Sequence, residues 1–216
     1  MSSMPSTKEL MVLGARVVLL DGSFVRIRQG HRSDRALLLR GFARLSPESR
    51  YRRFLAPMPE LTEGMIRYLT EIDHHDHEAM IAIDEDCGEG IGVARYVRSA
   101  TRPTVAEVAV TVIDDWQRRG LGTLLLELIS ARAREEGITT FTALMLATNQ
   151  DMIDMLMRLD PHPSIDQELG TIEIEIEIPA VGLAPALRKL LAIAAHHDNA
   201  VPLVERPGVR RLGNGL

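Results

Sequence analysis

Cysteine occurs once in the 216 residues, at Cys87. That excludes an intrachain disulfide and makes a reducing, cytoplasmic setting the default expectation. Lysine is nearly as scarce, with only Lys8 and Lys189, so arginine supplies almost all of the 25 basic residues. Coding bias of a GC-rich genome is enough to explain that. A basic surplus is also missing. The net charge of -5 and pI of 5.8 exclude a nucleic-acid binder held by a bulk positive field. No apolar run approaches the ~20 residues that span a bilayer. The best N-terminal candidate, Leu10 to Leu20, contains Arg16, ends at Asp21-Gly22 and lacks a small-residue cleavage site. Neither a membrane span nor a signal peptide is expected.

What is present is ordinary globular composition, 45% hydrophobic and 25% charged, which rules out wholesale disorder. Arg16 to Leu20 and Phe24 to Arg28 flank the turn signal Asp21-Gly22 and predict a hairpin. Ser33-Asp34, Ser46-Pro47 and Thr62 each precede an apolar or amphipathic run and predict three helix starts. Met80 to Ile83, Ile91 to Val97, Val105 to Val112, Thr140 to Leu146 and Thr171 to Ile178 read as strands. Gly122 to Glu136 reads as a helix closed by Gly137, followed by helices over Asp151 to Leu159 and Pro185 to Ala195. Strands and helices interleave without a composition break, so one α/β domain is expected over residues 15–179. An N-terminal arm (1–14) and a C-terminal helix and tail (180–216) complete the organisation.

The segment Val112-Ile113-Asp114-Asp115-Trp116-Gln117-Arg118-Arg119-Gly120-Leu121-Gly122-Thr123 lies between a strand and a helix. Two glycines spaced by one residue allow a tight turn and close approach of backbone N–H groups to a ligand. The helix that follows points its positive end at the same place. Such a loop suits a pyrophosphate. It lacks the lysine of the nucleotide-hydrolase phosphate loop and the third glycine of the dinucleotide fingerprint. Taken alone, a Gly-x-Gly is equally a tight strand-to-helix connection.

The whole string Gln117 to Thr123 resembles the acyl-CoA pyrophosphate loop, Gln/Arg-x-x-Gly-x-Gly/Ala, of the GCN5-related N-acetyltransferase (GNAT) family. Leu45 to Phe54, Asp73 to Ala79 and Ala106 to Val110 are similar to bacterial protein lysine acetyltransferases of the Pat type. The resemblance covers about Arg16 to Ile178, and the cyclic-nucleotide domain that some of those enzymes carry is not expected within these 216 residues. It implies a GNAT fold: a mixed, mostly antiparallel sheet with a splayed parallel pair, flanked by helices. It implies acetyl-CoA as co-substrate, with no metal. Val112 and Ile113 would offer backbone bonds to the pantetheine arm. Gln117, Arg118, Arg119, Gly120, Leu121, Gly122 and Thr123 would hold the pyrophosphate. Asn149 and Met152 would join them, although Asn149 also suits a helix N-cap, and Met152, Met155 and Met157 also suit a packed helix face.

Glu107 shares a strand face with Val105, Ala109 and Thr111. On that face, desolvation would raise its pKa, as a general base requires. Burial statistics alone favour a solvent-facing glutamate at the strand edge; it is the Pat-type resemblance that implies the catalytic role. The family's tyrosine acid is replaced by Leu156, between Met155 and Met157, and its usual Gly-Phe by Asp160-Pro161. Protonation of the leaving thiolate then falls to solvent, tolerable for a thiol of pKa ~8.5. Asp73-His74-His75-Asp76-His77 carries metal-binding residue types, but contiguously and with no distant pair to close a tetrahedron. A solvated loop is expected there, with His77 a candidate to line the acceptor cleft. Trp116 reads as a packing anchor. Arg50, Arg52 and Arg53 could attract an acidic patch on a protein substrate, although the arginine-rich composition explains them equally well.

The expected activity is direct acetyl transfer to an amine, first a protein lysine and second a small amine, with a non-catalytic acyl-CoA-binding regulator as the rival. No nucleic-acid or membrane partner is expected. Any self-acetylation should fall on Lys8 or the N-terminus rather than Lys189, which the pattern places mid-helix.

Overall fold

The computed structural model describes residues 14–19, 21–179 and 201–202. The expected helix over Pro185 to Ala195, Lys8 and Lys189 lie outside them. Among the described residues, nine strands form one sheet: β1 (Ala15–Val18), β2 (Phe24–Gln29), β3 (His77–Asp84), β4 (Gly90–Arg98), β5 (Val105–Val112), β6 (Thr140–Leu146), β7 (Ser164–Glu168), β8 (Thr171–Glu177) and β9 (Val201–Pro202). The described residues also form five α-helices: α1 (Arg35–Ala43), α2 (Pro47–Phe54), α3 (Glu63–Thr70), α4 (Leu121–Glu135) and α5 (Gln150–Met157).

The strand order is β7-β8-β6-β5-β4-β3-β2-β1-β9. Pairing is antiparallel from β1 through β5 and from β6 through β7. It is parallel between β5 and β6, and between β1 and the short β9. The expected mixed sheet with a parallel pair is therefore observed. Tyr96, Phe141, Ile27, Met80 and Ile91 fill the core from the sheet, and Leu121, Leu124, Leu125 and Leu126 fill it from α4.

Local chemistry explains the helix ends. The α1 region is entered through a 3-10 turn, Arg32–Asp34, capped by His31 rather than by Ser33 or Asp34. Asp34 instead accepts from the His31 N–H (2.7 Å) and from Arg28 (2.8 and 2.7 Å). Ser46 caps α2 by accepting from Ser49 N–H at 3.1 Å, and Pro47 occupies the first turn. Thr62 caps α3 in the same way, at 3.3 Å. Helix α4 closes with Gly137 at φ 78°. There the N–H groups of Gly137 and Ile138 donate to the Arg134 and Ala133 carbonyls, which satisfies carbonyls the helix leaves open.

Strand β7 had no sequence expectation. Ser164 to Glu168 is exposed at every position and bonds only to β8, so no apolar alternation marked it.

Candidate functional site

Strands β5 and β6 stay paired only over Val105–Thr140, Ala106–Phe141 and Glu107–Thr142, then separate. The direction of the freed backbone follows from the ladders on either side. Ser99 N–H donates to Val105 (2.9 Å) and Ile113 N–H to Ile91 (3.0 Å), bracketing an unbroken antiparallel register between β4 and β5. By the alternation of such a ladder, the odd residues bond to β4 and Val108, Val110 and Val112 face the gap. The same reasoning, from Ala147 N–H to Gly170 and Ile178 N–H to Thr139, turns Leu144 and Leu146 toward it from β6. Ile113 is therefore corrected: its N–H is bonded to Ile91 and its carbonyl accepts from Trp116. Only Val112 of the expected pair faces the gap, and its carbonyl is held by the Gln117 side-chain amide at 3.0 Å.

The gap opens into a cleft of about 420 Å³. Gln117, Arg118, Gly120, Gly122, Thr123, Asn149 and Met152 all line it. Gly120 sits at φ 84°, a left-handed conformation that suits glycine, and starts α4. Arg118 also takes a positive φ, 62°. No acceptor among the described residues takes the N–H groups of Arg118 to Thr123. Together with the first turn of α4 they form a cradle of free donors at the positive end of a 15-residue helix. Asn149 stands at the N-cap position of α5, yet its side chain makes no capping bond. Its amide thus remains available to the cleft.

Several expected residues are placed elsewhere. Arg119 donates to Asp21 (2.9 Å) and to the Asp115 carbonyl (2.6 Å) and stacks on Trp116, so its guanidinium is held away from the cleft. Leu121 is a core residue and contributes only its backbone. Trp116 is buried, as a packing anchor should be. Leu156 is fully buried, and Met155 is the residue of that pair that lines the cleft. An acid at position 156 would have pointed into the core. Arg50 is structural: it donates to the Pro59 (2.9 Å) and Ala43 (3.2 Å) carbonyls and stacks on Phe42. Arg52 and Arg53 line the cleft together with Arg158, which the sequence reading passed over. Arg158 lies one residue beyond α5 with nothing local to mark it.

Glu107 lines the cleft close enough to Arg53 to act on its charge. It is exposed, so the expected desolvation is absent. The divergence of β5 and β6 just beyond Glu107 opens its face of the strand to solvent.

The cleft is fastened to α2. Asp114 accepts from the Ser46 and Ser49 hydroxyls, each at 2.8 Å, and from Ser46 N–H at 2.9 Å. These bonds outweigh partial burial and hold its carboxyl below the usual range.

The histidine loop has a structural role. Asp73 accepts the N–H groups of His75, Asp76 and His77 at 2.8–2.9 Å. His74 bonds to the buried Glu78 at 2.9 Å and His75 pairs with Glu136. No metal-binding group of side chains occurs among the described residues. His77 is buried against Tyr68, with ring centroids 5.2 Å apart, and lines neither this cleft nor the neighbouring cavity described below. The expectation that it faces the acceptor is thereby corrected. No helix among the described residues is long and apolar enough to cross a membrane.

Comparison with known proteins agrees with this geometry. A profile of the "Acetyltransferase (GNAT) family" matches residues 42–160. The chain is 34% identical over 147 residues to "Acetyltransferase Pat" of Mycolicibacterium smegmatis, an alignment covering 68% of this chain and 44% of that protein. It thus spans less than half of that relative's length. It is 31% identical over 141 residues to "Acetyltransferase PA5475" of Pseudomonas aeruginosa, covering 64% of this chain and 75% of that protein. Among solved structures, the GNAT domain of S. lividans PAT superposes with a TM-score of 0.69 at 35% identity, over 77% of this chain and 97% of that one. With the splayed β5–β6 pair and the donor cradle at the start of α4, these matches establish that the chain belongs to the GNAT family of acetyltransferases.

Proposed function

We propose that the protein transfers an acetyl group from acetyl-CoA to an amine by direct attack, with Glu107 as general base. The observation that carries the reading is the continuity of unpaired backbone donors. They run from Val110 and Val112 in the gap to Arg118–Thr123 at the start of α4. A pantetheine arm carries amides that can complete the broken ladder. A pyrophosphate fits the cradle, where Gly120 and Gly122 leave the backbone bare. Arg118 and Arg158 on the cleft wall add positive charge for the phosphates, whereas Arg52 is paired with Glu48 at 2.6 Å.

In the reaction the amine nitrogen forms a bond to the thioester carbonyl carbon and the carbon–sulfur bond breaks. The free Val112 N–H, aimed into the gap, polarises the carbonyl oxygen as charge develops on it. A lysine amine has a pKa of about 10.4 and attacks only when neutral, so its proton passes to Glu107, directly or through water. The exposed position of Glu107 suits relay through water. The departing thiolate takes its proton from solvent, since the position of the usual acid holds buried Leu156.

The first acceptor we assign is a protein lysine. Glu107 is exposed on the cleft wall, where a long side chain can reach it while its backbone stays outside. A small amine is the second reading, favoured by a smaller neighbouring cavity that shares Arg53 with the cleft. Incubation with labelled acetyl-CoA and either a lysate or a panel of small amines tests both. Transfer to neither, by a protein that binds acetyl-CoA, overturns the catalytic reading.

A further inference from the structure

Beside the cleft, α1, α2 and α3 cover the β3–β5 face of the sheet and enclose a second cavity of about 120 Å³. The two spaces share Arg53, Ala109 and Thr111 as a common wall. Most of the second lining is aliphatic or aromatic, Leu37, Phe42, Leu61 and Ile72 among it. Two guanidiniums, Arg53 and Arg95, line it as well, together with His31 and with Asp34, whose carboxylate is engaged by Arg28.

Their situation is unusual. Arg95 is 6% exposed. One of its terminal nitrogens donates to the Leu69 carbonyl at 2.7 Å, and the other is buried with no partner. The guanidinium lies 5.9 Å from the Tyr68 ring. Neither Arg95 nor Arg53 makes an ion pair with a carboxylate among the described residues. Glu107 acts on Arg53 only through space. Burial, and then the charge of Arg53, lower Arg95 to about 10, so it remains a cation at neutral pH. A buried cation without a counter-charge is costly unless a ligand supplies one. Arginine presents a planar fork of donors that matches a carboxylate.

We infer that this cavity is an acceptor subsite that takes a carboxylate on a short apolar body, with Arg95 and Arg53 as its anion clamp. The inference rests on the acetyltransferase reading and specifies its acceptor: the amine to be acetylated carries a carboxylate a few atoms away. Arg53, on the shared wall, sets that carboxylate beside Glu107, which meets the amine. The carboxylate belongs either to a free amino acid-like molecule or to an acidic residue next to a lysine in a protein.

The test begins with binding alone. Calorimetry at pH 7 compares 4-methylpentanoate with its neutral amide, 4-methylpentanamide, on the wild-type protein, Arg95→Met and Arg53→Met, with acetyl-CoA titrated into each. Wild type should prefer the carboxylate by at least tenfold, and Arg95→Met should abolish that preference while still binding acetyl-CoA. Equal binding of acid and amide by wild type overturns the inference and needs no variant. Loss of acetyl-CoA binding by wild type would overturn the underlying reading instead. Turnover then separates the sources. Faster acetylation of leucine than of 3-methylbutylamine assigns the carboxylate to a small molecule. Faster acetylation of a Lys-Glu peptide than of its Lys-Gln counterpart assigns it to a protein. Indifference in both series overturns the inference.

Discussion

Replacing Gly122 by glutamate should leave the ligand-free protein folded while removing most of its affinity for acetyl-CoA. Gly122 lies in the first turn of α4, and a Cβ there would meet Met155 Sδ at 3.4 Å and Val112 Cγ2 at 3.8 Å, ordinary contacts. An alanine therefore fits. It should gain roughly 0.5–1 kcal/mol from reduced freedom of the unfolded chain, equivalent to a melting point about 1–4 °C higher for a chain of this size. A glutamate fits as well, and at a helix N-terminus its charge contributes roughly 0.3–1 kcal/mol of stability. The same charge opposes a pyrophosphate held by the neighbouring N–H groups. At a separation of about 5 Å and an effective dielectric of about 20, each pair of unit charges repels by about 3 kcal/mol, or roughly 10²-fold in affinity. Calorimetry with acetyl-CoA and a thermal melt of the same samples measure both effects. Gly122→Ala should bind within about threefold of wild type, whereas Gly122→Glu should bind at least tenfold more weakly, and less so as salt screens the repulsion. A folded Gly122→Glu protein with wild-type affinity would refute the placement of the cofactor in this loop.

Other expectations follow from the same geometry. Glu107→Gln, an exposed substitution, should leave acetyl-CoA affinity and melting point unchanged and lower turnover by about 10²-fold; wild-type turnover across pH 6–9 would make Glu107 a structural residue. His77 is pushed down to about 4 by burial and by the charge of Arg95, so the unfolded chain binds its proton first. Its contribution, on the order of 3 kcal/mol, is complete above pH 6.5 and is lost as pH falls toward 4. Denaturant melts of His77→Phe should accordingly be flatter than wild type between pH 5 and 6.5. Arg132, 1% exposed, pairs with the fully buried Glu78 at 3.3 Å and with Glu136. Arg132→Met removes the arginine that faces buried Glu78 and should cost about 3–5 kcal/mol by urea titration; a loss under 1 kcal/mol would show that Gln29, which donates to Glu78 at 2.7 Å, and His74 suffice to hold it.

The parts of the fold that were legible in the sequence are those whose signals are local. Gln117 to Thr123 could be placed because glycine spacing, a preceding strand and a following helix are adjacent in the chain. The caps of α2 and α3 were visible in Ser46-Pro47 and Thr62 for the same reason. What stayed hidden depends on partners distant in sequence. Glu107 was expected to be desolvated, because a strand pattern shows which residues share a face but not that the neighbouring strand swings away beyond Thr142. Ile113 and Val112 look equivalent until the β4 ladder assigns one to the sheet and the other to the gap. Arg119 was counted with its neighbours, but Asp21, nearly a hundred residues earlier, holds it. Arg95 lies inside the strand-like run Ile91 to Val97, and only the helices folded over it from residues 35–70 turn it into a cavity wall.

The divergence of β5 and β6 gives this sheet an edge in its interior. Outer edges of sheets invite further strands and are guarded against them. This inner one is guarded by shape, because the two strands separate at an angle and no flat strand can bond to both. A ligand with regularly spaced amides on a slender chain can satisfy those backbone groups in turn. A compact ligand, or one without amides, leaves them bare. The gap thus selects for length and flexibility before any side chain is consulted, and point mutation cannot readily erase that selectivity, because its donors belong to the main chain.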